Sequence, residues 1–405
     1  MSSGDAPRGP ADSAMKGHGS RIRVCFAVDA SYSGGAERYI SLLASGIDRG
    51  VFEPFVLAKT GAPLDPWCER VATGGVEVVR VPMDLPFRPA HAFPVVSRLS
   101  AMAPHIVHIN MPGPYSGQMG LLAPLARAAA GARVVVTEHL PRVEYLWKRA
   151  LVKGVSYLYV DRVLTVCRSN VPFLVDRQRV PEHKIRVVYN GVPAAYGSRK
   201  DEWREAARSE LGLDDETAGI VFVGSLIERK GMGVLLDALS GIGRGGWRLF
   251  IIGTGADQPV YERVVRDKAL EKSARFLGDV SEDQVERVLC ASDLLVSPSF
   301  MEGMPYVILE AMGCARPVVA SRIDGIPEAV PDGDAAILVP PGDSPALRAA
   351  IERLLGDATL RQTLGENGRR RFEQLFTLDR HVKQMESVYL DLVTGRGTTT
   401  ARRSL

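Results

Sequence analysis

Short uninterrupted apolar runs recur along the chain, each followed by a longer amphipathic stretch. The first series is RIRVCFAVDA (21–30), PFVLAKT (54–60), VEVVRVPM (76–83), HIVHIN (105–110), ARVVVTEH (132–139), DRVLTVC (161–167) and IRVVYN (185–190). Hydrophobicity that is continuous rather than alternating predicts parallel strands buried on both faces, and the intervals leave room for crossover helices. After the Gly-, Pro- and Ser-containing connector NGVPAAYGSRK (190–200) the alternation restarts with AGIVFVG (218–224), WRLFIIG (247–253), ARFLGDV (274–280), DLLVSPS (293–299) and PVVAS (317–321). This predicts two doubly wound α/β domains with a hinge near Pro193–Lys200. From Ser344 onward the pattern is helical, with no strand after Ile337–Val339, and such a tail can pack across both domains. The expected divisions are a tail (1–20), a first domain (21–195), a second domain (196–376), a helix crossing back to the first domain (377–393) and a second tail (394–405). MSSGDAPRGPADSAMKGHGS has no apolar signal-peptide core, and both it and TGRGTTTARRSL read as disordered.

Composition narrows the function classes. With 405 residues, 46% hydrophobic and 24% charged, the chain is long enough for two sizeable cores. Its 50 basic and 47 acidic residues balance too evenly to suggest a nucleic-acid partner. Cys25, Cys68, Cys167, Cys290 and Cys314 lie far apart in sequence, without a CxxC or a His-rich pairing. That argues against a disulfide framework or a structural zinc and fits reduced thiols in a cytoplasm. No segment approaches the roughly 18 uninterrupted apolar residues that a membrane span needs.

Two facing doubly wound domains would put strand carboxyl ends on either wall of one crevice, so chemistry is expected in those loops. In SLIERKG (225–231), Arg229 and Lys230 precede Gly231 at a helix start, which suits a diphosphate or, equally, a solvated basic turn. FIIGTGAD (250–257) carries Gly253 and Gly255 but lacks the third glycine of a dinucleotide fingerprint, and a tight turn explains it. SFMEGMPYVILEAMGCARPVVAS (299–321) says more: Glu302 lies in the loop, Gly303 and Pro305 fit the entry to a helix, with Pro305 near its first turn, and Glu310 lies inside that helix among Ile308, Leu309, Ala311 and Met312. A carboxylate there must be paired or hydrogen-bonded. The vicinal hydroxyls of a ribose would satisfy it, and so would a salt bridge to a neighbouring helix. In the first half, a strand ends on Thr137, Glu138 and His139, and Ser33, Gly34 and Gly35 follow the first strand in what can be an ordinary tight turn.

VGSLIERKG (223–231), EGMPYVILEAMGCARPVVAS (302–321) and DGIPEAVPDGDAAILVPPGD (324–343), in that order and spacing, resemble the carboxyl-terminal half of the retaining GT-B nucleotide-sugar glycosyltransferases of family 4. Glu302 and Glu310 match that family's E-x7-E signature, and SGGAERY (33–39), TEH (137–139) and VVYNGV (187–192) extend the match through residues 22–390. The resemblance implies two Rossmann-like domains facing a central cleft. It also implies a hexosyl group moving from a UDP- or GDP-sugar to an acceptor hydroxyl, in polysaccharide, glycolipid or glycosylated metabolite assembly. Lys230 would neutralise the donor diphosphate. The family's usual arginine after the strand glycine is Ser225 here, and Arg229 is the cation that could reach in instead. Glu310 would hold the ribose, Glu302 the donor sugar, and the backbone around Gly303 and Met304 the donor oxygens. Gly34 and Gly35 would let the backbone approach phosphate and acceptor. His139 would orient the sugar. Glu138 could fix the histidine tautomer, touch the acceptor or bind within its own domain.

No triad or metal-ligand cluster stands out, and Asp332–Gly333–Asp334 reads as a loop, so the expected transfer needs no metal and no cofactor beyond the donor. It is front-face, with a donor phosphate oxygen assisting deprotonation of the acceptor. VEYLWKRALVKGVSYLYV (143–160) reads as a crossover helix with a wet basic face, though a basic aromatic helix could also rest on an anionic bilayer at the inner face of the plasma membrane. The acceptor could thus be a sugar, a lipid-linked or a small molecule. The rival readings are a noncatalytic sugar-nucleotide-binding subunit and another enzyme of the same fold, such as a phosphorylase or a sugar-nucleotide epimerase; a nicotinamide oxidoreductase is more remote.

Overall fold

The computed structural model describes residues 21–30, 34–85, 88–111, 121–141, 154–243 and 245–395. Residues 1–20 and 396–405 of the two tails, Ser33 and most of the 143–160 segment lie outside the described residues; Thr394, expected in the second tail, ends the last helix. The first half forms a seven-stranded parallel sheet: β1 (Ile22–Val28), β2 (Phe52–Lys59), β3 (Glu77–Val81), β4 (Ile106–Met111), β5 (Arg133–Glu138), β6 (Arg162–Thr165) and β7 (Ile185–Val187), in the order β3-β2-β1-β4-β5-β6-β7. The second half forms a six-stranded sheet: β8 (Ala218–Val223), β9 (Trp247–Ile252), β10 (Ala274–Gly278), β11 (Leu294–Ser297), β12 (Val318–Ser321) and β13 (Ala336–Val339), in the order β10-β9-β8-β11-β12-β13. Every ladder is parallel, as continuous apolar runs require.

Strand β1 shows why such a run folds this way. Val24, Phe26 and Val28 project into one apolar cluster, and Cys25 and Ala27 project into another on the opposite face. The first of these clusters continues into the second domain through Val221, Phe250, Leu295, Met304 and Ile308. The sheets therefore share a core, and a separate cluster covers the outer face of the second sheet.

Strand order reverses between β1 and β4 in the first sheet and between β8 and β11 in the second. Ligands of open α/β sheets bind outside the strand carboxyl ends at such reversals. The loops that follow β1, β8 and β11 carry Gly34, Gly224–Gly231 and Pro298–Pro305, and these face one another.

The chain crosses between domains twice, side by side. Val192 N–H donates to the Phe376 carbonyl (2.9 Å), and Leu378 N–H donates to the Val192 carbonyl (2.8 Å). The carboxyl-terminal helix, Leu378–Thr394, then packs on the first helix, Gly35–Gly46, burying Val382, Met385, Val388 and Tyr389. Full burial of side chains of that size contributes about 1.5–3 kcal/mol each, so the helix is held as part of the first domain's core. Glu328, from the second domain, accepts the backbone N–H groups of Arg168 and Ser169 (2.8 Å each) and caps a first-domain turn. All five cysteines are buried free thiols. Cys290 and Cys314, 24 positions apart, have their sulfurs 3.5 Å from each other, a proximity that sequence spacing does not reveal.

Candidate active site

On the second-domain wall, Arg229 and Lys230 end a 3-10 turn, Glu228–Lys230, immediately before the Met232–Ser240 helix. Gly231 makes this turn fit: its φ is +72°, and a Cβ there would lie 2.0 Å from the Pro298 carbonyl oxygen. The turn thus lies against the loop after β11. Lys230 Nζ reaches Glu302 Oε1 at 2.5 Å, the Ser299 hydroxyl donates to the same oxygen at 2.8 Å, and Arg229 Nη1 lies 3.7 Å from Glu302 Oε2. Arg229 also donates to the Met301 carbonyl (2.6 Å), and Glu302 N–H donates to Asp324 (2.9 Å). Pro305 is the N-cap of the Tyr306–Gly313 helix, at the helix entry where the sequence placed it. Glu310, on that helix, is 2% exposed. Its partner comes from across the cleft: Arg38 of the Gly35–Gly46 helix bonds Glu310 Oε1, lies 3.4 Å from Glu282 and stacks 5.1 Å over the Tyr306 ring.

On the first-domain wall, Gly34 N–H is capped by the buried Glu37 carboxylate (2.8 Å), which opens the first helix. His139 follows β5, with Nε2 2.7 Å from Asn110 Oδ1. Asn110 Nδ2 donates to the Ala36 carbonyl (2.9 Å), which orients the amide and makes Nε2 the protonated nitrogen, leaving Nδ1 as the ring's acceptor. Tyr39 packs edge-on against His139, with centroids 4.8 Å apart. Gly303 backs closely onto His139 of the other domain: a Cβ on Gly303 would lie 2.2 Å from the His139 carbonyl oxygen. A cavity of about 370 Å³ opens between the walls, lined among others by Gly34, Gly35, His139, Ser225, Lys230 and Glu310. That volume is within the usual range for small-ligand sites. A larger depression, about 670 Å³, lies away from these loops around Arg204, Arg208 and Asp293. There the arginines are taken up by the Asp293 carboxylate and by the Ala291 and Ser292 carbonyls at a helix end, which is structural capping.

The electrostatics follow from burial and partners. Burial pushes the Glu302 carboxyl up, but Lys230, Arg229 and Ser299 outweigh it and hold it below the ordinary range. For Glu310 burial prevails over Arg38, and the carboxyl is raised. Behind the cleft three imidazoles are buried. His108, His139 and His381 are pushed down to about 3, 3 and 4, chiefly by burial; neighbouring imidazoles add to it for His108 and His139. His108 bridges the Tyr389 hydroxyl and the Thr137 hydroxyl, both at 2.6 Å.

Folded histidines with depressed pKa values bind fewer protons than unfolded ones, whose pKa is near 6.5. Their stabilising effect is complete above about pH 6.5 and declines as pH falls toward 3–4. Each costs on the order of 2 kcal/mol at pH 5. The unfolding midpoint is therefore expected to drop steadily between pH 7 and pH 5, in thermal scans followed by circular dichroism. A midpoint that stays level over that interval would contradict three neutral buried imidazoles.

The structure brings His139, Gly34, Gly35, Ser225, Arg229, Lys230, Glu302, Gly303, Met304 and Glu310 around this one cavity. Glu138 faces inward, and the buried Tyr157 hydroxyl donates to it. Asp332 and Asp334 are engaged by Arg322 with Leu338 N–H and by Asn367, respectively. Among the described residues no group of three His, Cys, Asp or Glu side chains could hold a metal ion, and no helix is long and apolar enough to cross a membrane. Arg38, Asn110, Ser299 and Asp324 are site residues that sequence reasoning missed. Arg38 lay inside the quoted SGGAERY motif, but Asn110 had no signal beyond its place at a strand end.

Comparison with known proteins matches residues 33–196 to the model of Glycosyltransferase Family 4 and residues 217–357 to that of Glycosyl transferases group 1. D-inositol 3-phosphate glycosyltransferase of Salinispora arenicola is 30% identical over 307 residues, 70% of this chain and 68% of that one. Alpha-D-kanosaminyltransferase of Streptomyces kanamyceticus is 31% identical over 199 residues, 48% of this chain; the chain spans only about half of that relative, 51%. Among solved structures, HepE of Anabaena in complex with UDP and glucose superposes with a TM-score of 0.77 at 19% identity, covering 91% of this chain and 99% of that one. Sucrose-phosphate synthase of Thermosynechococcus elongatus gives 0.79 at 21% identity, covering 93% and 100%. The shared architecture is GT-B: two doubly wound α/β domains facing a cleft.

Proposed function

Because the chain belongs to the family 4, group 1 glycosyltransferases, we propose that it transfers a hexosyl group from a nucleoside diphosphate sugar to an acceptor hydroxyl with retention of configuration. The observation that carries this reading is the convergence of Lys230, Arg229, Glu302 and Glu310 at the β8/β11 reversal, facing Gly34, Gly35 and His139 across a single cavity. UDP is the favoured nucleotide, supported by the UDP named with HepE, and GDP is the alternative.

In the proposed complex the diphosphate lies against Lys230, the start of the Met232–Ser240 helix and the Gly34–Gly35 backbone, where fixed cations and amide dipoles meet the charge that develops on the leaving group. Glu310 accepts the ribose hydroxyls. Glu302 accepts hydroxyls of the sugar while Lys230 keeps it ionised. His139, neutral at working pH, accepts through Nδ1 or its carbonyl rather than acting as an acid. The C1–oxygen bond to the phosphate breaks as the acceptor oxygen bonds C1 on the same face, and the acceptor proton passes to a phosphate oxygen of the departing nucleotide. The acceptor is a sugar, a lipid-linked or a small molecule. On this reading the enzyme works in the cytoplasm, and at the inner face of the plasma membrane where its acceptor is lipid-linked.

Thermal unfolding with UDP, GDP, ADP and TDP, each in excess, tests the proposal. A nucleotide at 100 times its dissociation constant adds about 2.7 kcal/mol, and the selective shift is expected to vanish in Glu310→Ala. Absence of a shift with every nucleotide, in folded protein, would remove the transferase reading and, with it, that of a sugar-nucleotide-binding subunit.

A further inference from the structure

One buried carboxylate in the cleft has two claimants. Glu310 is held through Oε1 by Arg38, which comes from the opposite domain, and both side chains line the same cavity. On the reading proposed above, the donor's ribose needs that same carboxylate, because a pair of vicinal hydroxyls is satisfied by two carboxylate oxygens. The guanidinium also has a second acid within reach. Its Nη2 lies 3.4 Å from Glu282 Oε2, and the Glu282 side chain is 68% exposed against 2% for Glu310. The Tyr306 ring lies 5.1 Å beneath the guanidinium and helps to hold it over the cleft.

We propose that Arg38 is a displaceable strap across the cleft: it pairs with Glu310 until the donor's ribose arrives, and is then handed to Glu282. Arg38 in this role is a specificity-determining residue rather than a catalytic one. It lowers the apparent affinity for a nucleotide whose ribose must displace it from Glu310, and it links donor binding to the docking of the two domains. The inference rests on the ribose role of Glu310 and adds to it a competitor, a destination and a direction of effect. A purely structural salt bridge predicts that loss of Arg38 leaves nucleotide affinity unchanged or weakens it. A competing strap predicts the reverse, since a binding-competent state that is only partly populated reduces apparent affinity by that fraction.

Calorimetric titration of the full chain with UDP, and with GDP in parallel, distinguishes these outcomes. Arg38→Met, which keeps the apolar stem, is expected to bind about fivefold more tightly than the unaltered protein. Glu282→Gln, an exposed change that spares the fold, is expected to bind about threefold more weakly because Arg38 loses its second partner. In the double variant the Glu282→Gln effect should vanish. Unchanged or weaker binding in Arg38→Met overturns the strap, as does unchanged binding in Glu282→Gln should Arg38→Met not fold. If the unaltered protein binds neither nucleotide, the donor reading has failed, a result distinct from failure of the strap in a protein that binds.

Discussion

Lys230→Ala is expected to lower kcat/KM for sugar transfer by about two to three orders of magnitude, the usual effect of removing one fixed group from developing negative charge. Lys230 stands before a helix amino terminus and 2.5 Å from Glu302. On the proposed reading its loss removes the cation set against the leaving diphosphate; it also weakens the support of a carboxylate that is almost fully buried. Glu302 keeps Ser299 and the more distant Arg229, so the expected stability loss is about 1–3 kcal/mol rather than that of an uncompensated buried charge. The pH dependence carries a sign. Glu302 is held below its ordinary value of 4.5 in the folded protein, so its stabilising contribution is present above about pH 4.5 and is lost as pH falls through the folded value. The stability gap between unaltered protein and variant should accordingly be full at pH 7 and narrow under acid. Steady-state kinetics with donor varied, beside unfolding at several pH values, reads both effects. A variant within threefold of normal kcat/KM would mean that Lys230 does not face the leaving group.

Gly303→Ala is expected to cost about a hundredfold in kcat/KM for a different reason. The new Cβ would meet the His139 carbonyl oxygen at 2.2 Å and a Val166 methyl at 3.0 Å, while the Gly303 carbonyl accepts the Gly325 N–H at 3.2 Å. The obstructing atom is backbone from the other domain, which cannot rotate away, so the walls must part by a fraction of an ångström or more. Displacement on that scale costs about two orders of magnitude where reacting groups come from both walls. Lys230, Glu302 and Glu310 share one domain, so nucleotide affinity should change far less than kcat. Equal losses in both would place the damage within the second domain, and an unimpaired rate would show that the contact is not needed for transfer.

Much of this molecule was legible in advance. Continuous apolar runs announced parallel strands, since a strand with helices on both faces has no polar side to show, and β1 dividing its residues between two apolar clusters is that rule in place. Lys230, Glu302 and Glu310 were legible because charge on short loops after buried strands, or inside an apolar helix, requires an explanation. The sequence also left two solutions open for Glu310, a ribose or a salt bridge, and the ion pair with Arg38 shows that the second is built into the cleft.

Local composition determines which segments are strands, where they end and hence where a doubly wound sheet would place its loops, because these depend on periodicity and burial within a few residues. The partner of each buried charge is another matter. Arg38 and Glu310 are 272 positions apart, and His108 and Tyr389 are 281 apart. Their meeting depends on how two sheets dock and on a carboxyl-terminal helix that crosses back. Contacts of that range are decided by the complementarity of whole surfaces, and only the tertiary structure shows which acid meets which base.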